Sequence, residues 1–361
     1  MKITDIKIKI VTIPLLTPFK TALRTVTEIE NILVTVVTDS TLTGFGGAAP
    51  TAVITGDTVG SIVAGIEHIR GTIIGMEIEQ TEAVLQRLNR CLVGNTSAKA
   101  AVDMAIYDLN AKALDVPLYR LLGGMVNELE TDITISLDTL DKMVAESKLK
   151  VDDGFSTLKV KVGSVPDFDI ERLQAIRAAV GSDVKIRIDA NQGWSAKDAV
   201  WVGKELEKRD INIELMEQPV LARDYEGLKF VRDNLSIPVV ADESVFSPQD
   251  ALKLVTMGAV DGLNIKLMKC GGIYNALKIV AIAEAAGVPC MIGSMMESHV
   301  SVAAAAHLAA SQTNIYRYDL DAPLFCSRNL GDGGINYQGA RIDLSDQPGL
   351  GINAFADLNR I

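Results

Sequence analysis

The chain has 361 residues, 48% of them hydrophobic and 22% charged, with a net charge of −11. This composition excludes a largely disordered protein and is enough for one large domain plus a smaller one. The acidic balance, with no block of lysines or arginines, excludes nucleic acid as an expected partner.

The opening segment, MKITDIKIKIVTIPL, alternates as a strand does and lacks the continuous apolar stretch of a signal peptide. No apolar run reaches membrane-spanning length, so no membrane partner is expected. Four cysteines (Cys91, Cys270, Cys290, Cys326) show no CxxC spacing, so neither a disulfide framework nor a zinc site is expected. The expected location is the cytoplasm.

Strand-like runs KITDIKIKIVTI, ENILVTVVTD and LTGFGGAA come first, then helical stretches around 58–75, 79–93 and 97–114. Residues 1–125 therefore read as an α+β domain. Eight β-rich runs follow: TDITISL (131–137), TLKVKV (157–162), VKIRIDAN (184–191), NIELMEQP (212–219), IPVVADES (237–244), DGLNIKLMK (261–269), VPCMIGSMME (288–297) and NIYRYDLD (314–321). They recur every 24 to 28 residues, and the segments between them have helical apolar spacing, several ending in Gly. That pattern predicts a (β/α)8 barrel over 126–322, capped by the first domain. An open doubly wound sheet is the rival, but no glycine-rich fingerprint follows an early strand. The tail, 323–361, is rich in Gly, Pro and Asp and is expected to pack back on the capping domain.

The ends of the barrel strands hold the chemistry, because active sites of such barrels lie there. TLKVKVG places Lys159 and Lys161 on one face of the second strand. Taken alone, that is an ordinary half-exposed strand with a solvated lysine face. Asp189, Glu217 and Asp242 end three consecutive strands, however, and their repulsion calls for a cation. An all-oxygen shell suits Mg²⁺. Strands two and six are opposite in an eight-stranded barrel, so Lys161 and Lys266 should face each other. Strands four and eight are also opposite, setting the metal against Asp319 and Asp321. A small molecule with a carboxylate at one end and an ammonium at the other would fit this second axis. A lysine acting as base must be neutral, and neighbouring cations such as Lys159 and Mg²⁺ are expected to lower its pKa. Bases on two faces allow a proton to leave from one and return on the other, which is racemisation or epimerisation.

The chain resembles the enolase superfamily, in its muconate-lactonizing branch, over essentially its whole length. The matching stretches are AAVDMAIYDLNAKALDVPLYRLLGG, LKVKVG, RIDANQGW, ELMEQPV, ADESVF, NIKLMKCGGI and PGLGI. TPFKTALRTV, TAVITGD and YDLDAPL resemble the dipeptide epimerases, typified by L-Ala-D/L-Glu epimerase. The resemblance implies Mg²⁺ on Asp189, Glu217 and Asp242, and Lys161 and Lys266 as acid/base catalysts supported by Lys159. It also implies that Asp319 and Asp321 clamp a substrate ammonium, and that Phe19, Arg24 and Ile54 belong to loops over the substrate. Arg24 takes the position that pairs with a glutamate side chain. GSMMESHV and DAPLFCSRN depart from an Ala-Glu enzyme; Met295, Met296 and Phe325 make that neighbourhood apolar, which fits larger hydrophobic dipeptides as well.

N-acylamino acid racemase, o-succinylbenzoate synthase and muconate cycloisomerase share the scaffold, but their substrates carry no free ammonium for Asp319 and Asp321. A mandelate-type enzyme needs a His–Asp dyad. Here His299 and His307 fall in or beside the Ala-rich SVAAAAHLAAS helix, where a structural role is expected, and the third histidine is His68. A non-catalytic binding protein would not need lysines on opposite walls. The expected partner is a small-molecule dipeptide; a homo-oligomer is left open.

Overall fold

A long hairpin begins the chain: β1 (Ile3–Lys20) pairs antiparallel with β2 (Thr25–Thr38), and β3 (Thr43–Ala48) adds to β2. The computed structural model describes residues 1–355. Pro14 and Pro18 fit in β1 because it is an edge strand, and its register shifts between Pro14 and Phe19. The hairpin therefore runs on past its alternating apolar stretch to a tip at Thr21–Arg24. Helices α1 (Val59–Ile73), α2 (Thr81–Arg90), α3 (Thr96–Ala113) and α4 (Leu118–Leu121) complete this part. α3 is buried nearly all round, as its alanine content allows.

After a short β4 (Glu128–Glu130) comes an eight-stranded parallel sheet with strand order following the chain. Its strands are β5 (Ile133–Ile135), β6 (Thr157–Lys161), β7 (Lys185–Asp189), β8 (Leu215–Glu217), β9 (Val239–Ala241), β10 (Gly262–Ile265), β11 (Cys290–Gly293) and β12 (Ile315–Asp319). Helices α5 (Leu140–Asp152), α6 (Pro166–Val180), α7 (Ala196–Lys208), α8 (Tyr225–Asn234) and α9 (Pro248–Met257) alternate with the first five strands. α10 (Leu267–Cys270), α11 (Ile273–Ala285) and α12 (His299–Ser311) follow. The seam between β12 and β5 is bridged where Asp132 N–H donates to Tyr318 O (3.1 Å) and Thr134 N–H to the Asp321 carboxylate (2.6 Å). This is the expected barrel under an antiparallel cap.

The strands are shorter than their apolar runs. LMK, read as the continuation of a strand, forms α10 instead. Lys269 and Cys270 N–H groups turn back to Lys266 O, and Gly271 and Gly272, both at positive φ, end the turn. From the tail, β14 (Ile335–Gln338) and β15 (Arg341–Leu344) pair with each other, and β15 also with β4; β13 (Gly331–Gly333) pairs with β16 (Ile352–Phe355). Phe355 packs on Phe45 of β3, and Leu350 N–H donates to Asp108 of α3. No helix among the described residues is long and apolar enough to cross a membrane.

Candidate active site

Sheet register brings the first three charged groups together. Lys161 of β6 is the ladder partner of Asp189 in β7, and Asp189 is the partner of Glu217 in β8. Asp242 lies one residue beyond β9. The result is a cluster of three buried carboxylates whose nearest oxygens lie within 4.8 Å of one another. Gly163 makes the turn after β6 possible: it sits at φ 92°, and a Cβ there would come 2.1 Å from Ala190 O. Lys266 follows β10, four strands from β6, and a Cβ on Gly293 would touch its Cε at 3.0 Å.

A cavity opens over these strand ends. Lys161, Lys266, Asp242, Asp319 and Asp321 line it from the barrel; Phe19, Arg24, Ile54 and Met296 line it from the cap side and the β11 loop. Lys159, Asp189 and Glu217 do not reach its wall and are almost wholly buried. Met295 lines the cavity too, whereas Phe325, expected beside it, stands behind Phe19 with ring centroids 5.6 Å apart.

Both lysines of β6 are buried, so the solvated-face reading of that strand fails. Lys161 Nζ lies 2.6 Å from Asp189, and Lys266 Nζ 2.7 Å from Asp242. Lys159 contacts Asp319 (2.7 Å), Glu217 (2.8 Å) and Asp189 (3.2 Å). Burial opposes the charge of Lys159, but these carboxylates outweigh it and raise its pKa well above the ordinary value. Lys266 shows the same balance: burial and Lys159 lower its pKa, Asp242 outweighs them, and it ends raised. Among the side chains around Lys266, carboxylates outweigh cations.

Glu217 is pushed up to about 7 by burial and by Asp189. Burial raises Asp189 too, but Lys161 and Lys159 prevail and it falls to about 2. At the other end, Asp321 is pushed up to about 6 by burial and by its neighbour Asp319. Asp319 is held below the ordinary range, Lys159 prevailing over burial. Asp321 precedes the 3₁₀ turn Ala322–Phe325 without capping it by its side chain, which instead accepts from Thr134 N–H. Simple helix capping therefore does not account for this carboxylate.

Residues 3–123 match the mandelate racemase / muconate lactonizing enzyme N-terminal domain, and residues 142–357 match the enolase C-terminal domain-like family. The chain belongs to the enolase superfamily. Within it, the L-Ala-D/L-Glu epimerase of Clostridium acetobutylicum is 52% identical, covering 98% of this chain and 99% of its own. The substrate-liganded L-Ala-D/L-Glu epimerase from Bacillus subtilis superposes with a TM-score of 0.97 at 47% identity, covering 99% of this chain and 100% of that one. The dipeptide epimerase from Enterococcus faecalis, in complex with Mg and L-Leu-L-Tyr, gives 0.96 at 44% identity, covering 98% and 100%.

Three residues of this superfamily member were missed in the sequence. Asn264 donates to Glu217 (2.7 Å). Lys269, fully buried, donates to Asp242 and to Asn264 O. Its i+3 spacing from Lys266 is a helical signal that the strand reading of LMK concealed. Asp132 clusters with Asp319 and Asp321 and precedes its strand, where no strand-end signal points to it.

Proposed function

We propose that the protein is a Mg²⁺-dependent dipeptide epimerase that inverts the C-terminal residue by two-base 1,1-proton transfer. The observation that carries this reading is the placement of Lys161 and Lys266 on opposed strands around one cavity, with Asp319 and Asp321 on the same wall system. Asp189, Glu217 and Asp242 would hold the metal. Their all-oxygen donor set, buried and with oxygens within 4.8 Å of one another, fits Mg²⁺. An ion held there would supply positive charge to offset the second negative charge of a substrate carboxylate that loses its α-proton.

The chain's own groups do the rest. Asp319 and Asp321 receive the substrate ammonium, which fixes the α-carbon between the two lysines. One lysine takes the proton from its face and the other returns a proton on the opposite face; the reverse reaction exchanges their roles. Arg24 favours an acidic C-terminal side chain, while Met295, Met296, Val53 and Ile54 supply apolar wall for larger residues. The named relatives act on dipeptides of both kinds, which supports the reading. A cytoplasmic location is supported by four free cysteines.

The test is to incubate the purified chain and Mg²⁺ with a dipeptide library in D₂O and to follow mass gain and epimer ratio. Lys161→Ala and Lys266→Ala should each abolish inversion, and each should still exchange the α-proton of one epimer. Near-normal turnover by either variant would remove the two-base mechanism.

A further inference from the structure

We infer that Asp132 is a positioning residue for the ammonium end of the substrate, turning the Asp319/Asp321 pair into a three-carboxylate cluster that selects a free amine over an acylated one. This inference rests on the dipeptide reading. Asp132, Asp319 and Asp321 each place a carboxylate oxygen within 4.8 Å of the others, and all three are buried. Asp319 and Asp321 line the cavity and Asp132 does not, so Asp132 acts through the other two.

Cations near this cluster are already shared. Lys159 contacts Asp319 but also Asp189 and Glu217. Arg187 Nη1 lies 2.8 Å from Asp132 Oδ2, while its Nε is committed to Glu214 at 2.6 Å. Asp132 Oδ1 is buried and accepts no hydrogen bond among the described residues. Among the described residues these three carboxylates form ion pairs with two cations, both of which also serve other acids, so the cluster holds fewer paired cations than carboxylates. An incoming ammonium supplies a further cation; a neutral amide nitrogen does not. Placement is fixed as well as charge. Asp132 N–H donates to Tyr318 O, and Arg187 Nη1 bonds the same carbonyl at 3.2 Å, directly before Asp319.

Steady-state kinetics on L-Ala-L-Glu and its N-acetyl derivative test this, with unfolding temperatures of each protein as a check on folding. The native enzyme should prefer the free amine. Asp132→Asn should raise KM for the free dipeptide about tenfold with kcat much less affected, so that the preference falls by about the same factor. A merely structural role would reduce both substrates together and leave the ratio unchanged. The double variant Asp132→Asn/Arg187→Gln, which leaves no unpaired buried charge, should shift the ratio in the same direction by a smaller factor, and serves if the single variant does not fold. No preference in the native enzyme overturns the dipeptide reading itself. A native preference that the variants retain overturns this inference alone.

Discussion

Arg24 is a half-buried guanidinium that forms no ion pair among the described residues, and burial lowers its pKa from the ordinary value. It stands between the main cavity and an outer hollow bordered by Glu28 and Glu30. A desolvated cation in a cavity wall gains most from a substrate carboxylate. Charge-assisted hydrogen bonds contribute about 1.5–3 kcal/mol. Arg24→Met should therefore lower kcat/KM for Ala-Glu by about tenfold to a hundredfold. An apolar dipeptide should be spared, and equal losses on both substrates would show that Arg24 only supports the loop. At this scale, what could be read in the sequence depended on position. Asp189, Glu217 and Asp242 each end an apolar run, so their convergence follows from barrel topology. Asp132 precedes its strand, and only the closing of the β12–β5 seam brings it beside residues nearly two hundred positions later. Its role is tertiary, and no local pattern encodes it.

The β1–β2 hairpin carries Phe19 and Arg24 to the cavity, and a latch at Lys20 ties its tip to the barrel. Lys20 Nζ lies 2.6 Å from Asp138, which precedes α5; Leu137 N–H donates to Lys20 O at 3.0 Å. Phe325 supports Phe19 from behind. Breaking a half-exposed ion pair costs at most about 1 kcal/mol, so Lys20→Met should raise KM by a factor of up to about five. Raising the ionic strength should weaken substrate binding more in the native enzyme than in the variant. The charge-swapped pair Lys20→Asp/Asp138→Lys should recover most of the loss. Unchanged KM in Lys20→Met would leave the latch to the backbone bond. Among the elements, the eight strands and three of the four cap helices were legible because each is a periodic run bounded by turn residues. The extension of the hairpin through Pro14 and Pro18 was not, since prolines disguise an edge strand. α10 was also hidden, because four residues are too few to show a helical period.

The cap, barrel and tail meet at His307, on an alanine-rich helix that is buried nearly all round and where a structural role was expected. Its Nδ1 accepts from Tyr119 N–H of α4 at 3.1 Å, and Tyr119 OH donates to Asp346 in the tail at 2.7 Å. The neighbouring Leu118 N–H donates to Gly349 O. Burial pushes His307 down to about 3, so the native state holds it neutral throughout the ordinary pH range. The unfolded chain protonates the same imidazole below about pH 6.5. Between pH 6.5 and 3 the unfolded state therefore binds the extra proton, and stability is lost as pH falls. From pH 7 to pH 5 this one group should remove about 2 kcal/mol. His299, pushed down to about 4 by burial, works in the same direction, and the buried carboxylates with raised values work against it. Those contributions cancel when two proteins differing only at residue 307 are compared. His307→Asn keeps an acceptor for Tyr119 N–H but cannot titrate. It should be less stable than the native chain at pH 7, because a smaller side chain leaves a void in a close-packed junction. Denaturant unfolding at pH 5 should then show that gap reduced by about 2 kcal/mol. A gap that stays constant between the two pH values would mean that His307 titrates alike in the folded and unfolded chain, and that the junction is open to water.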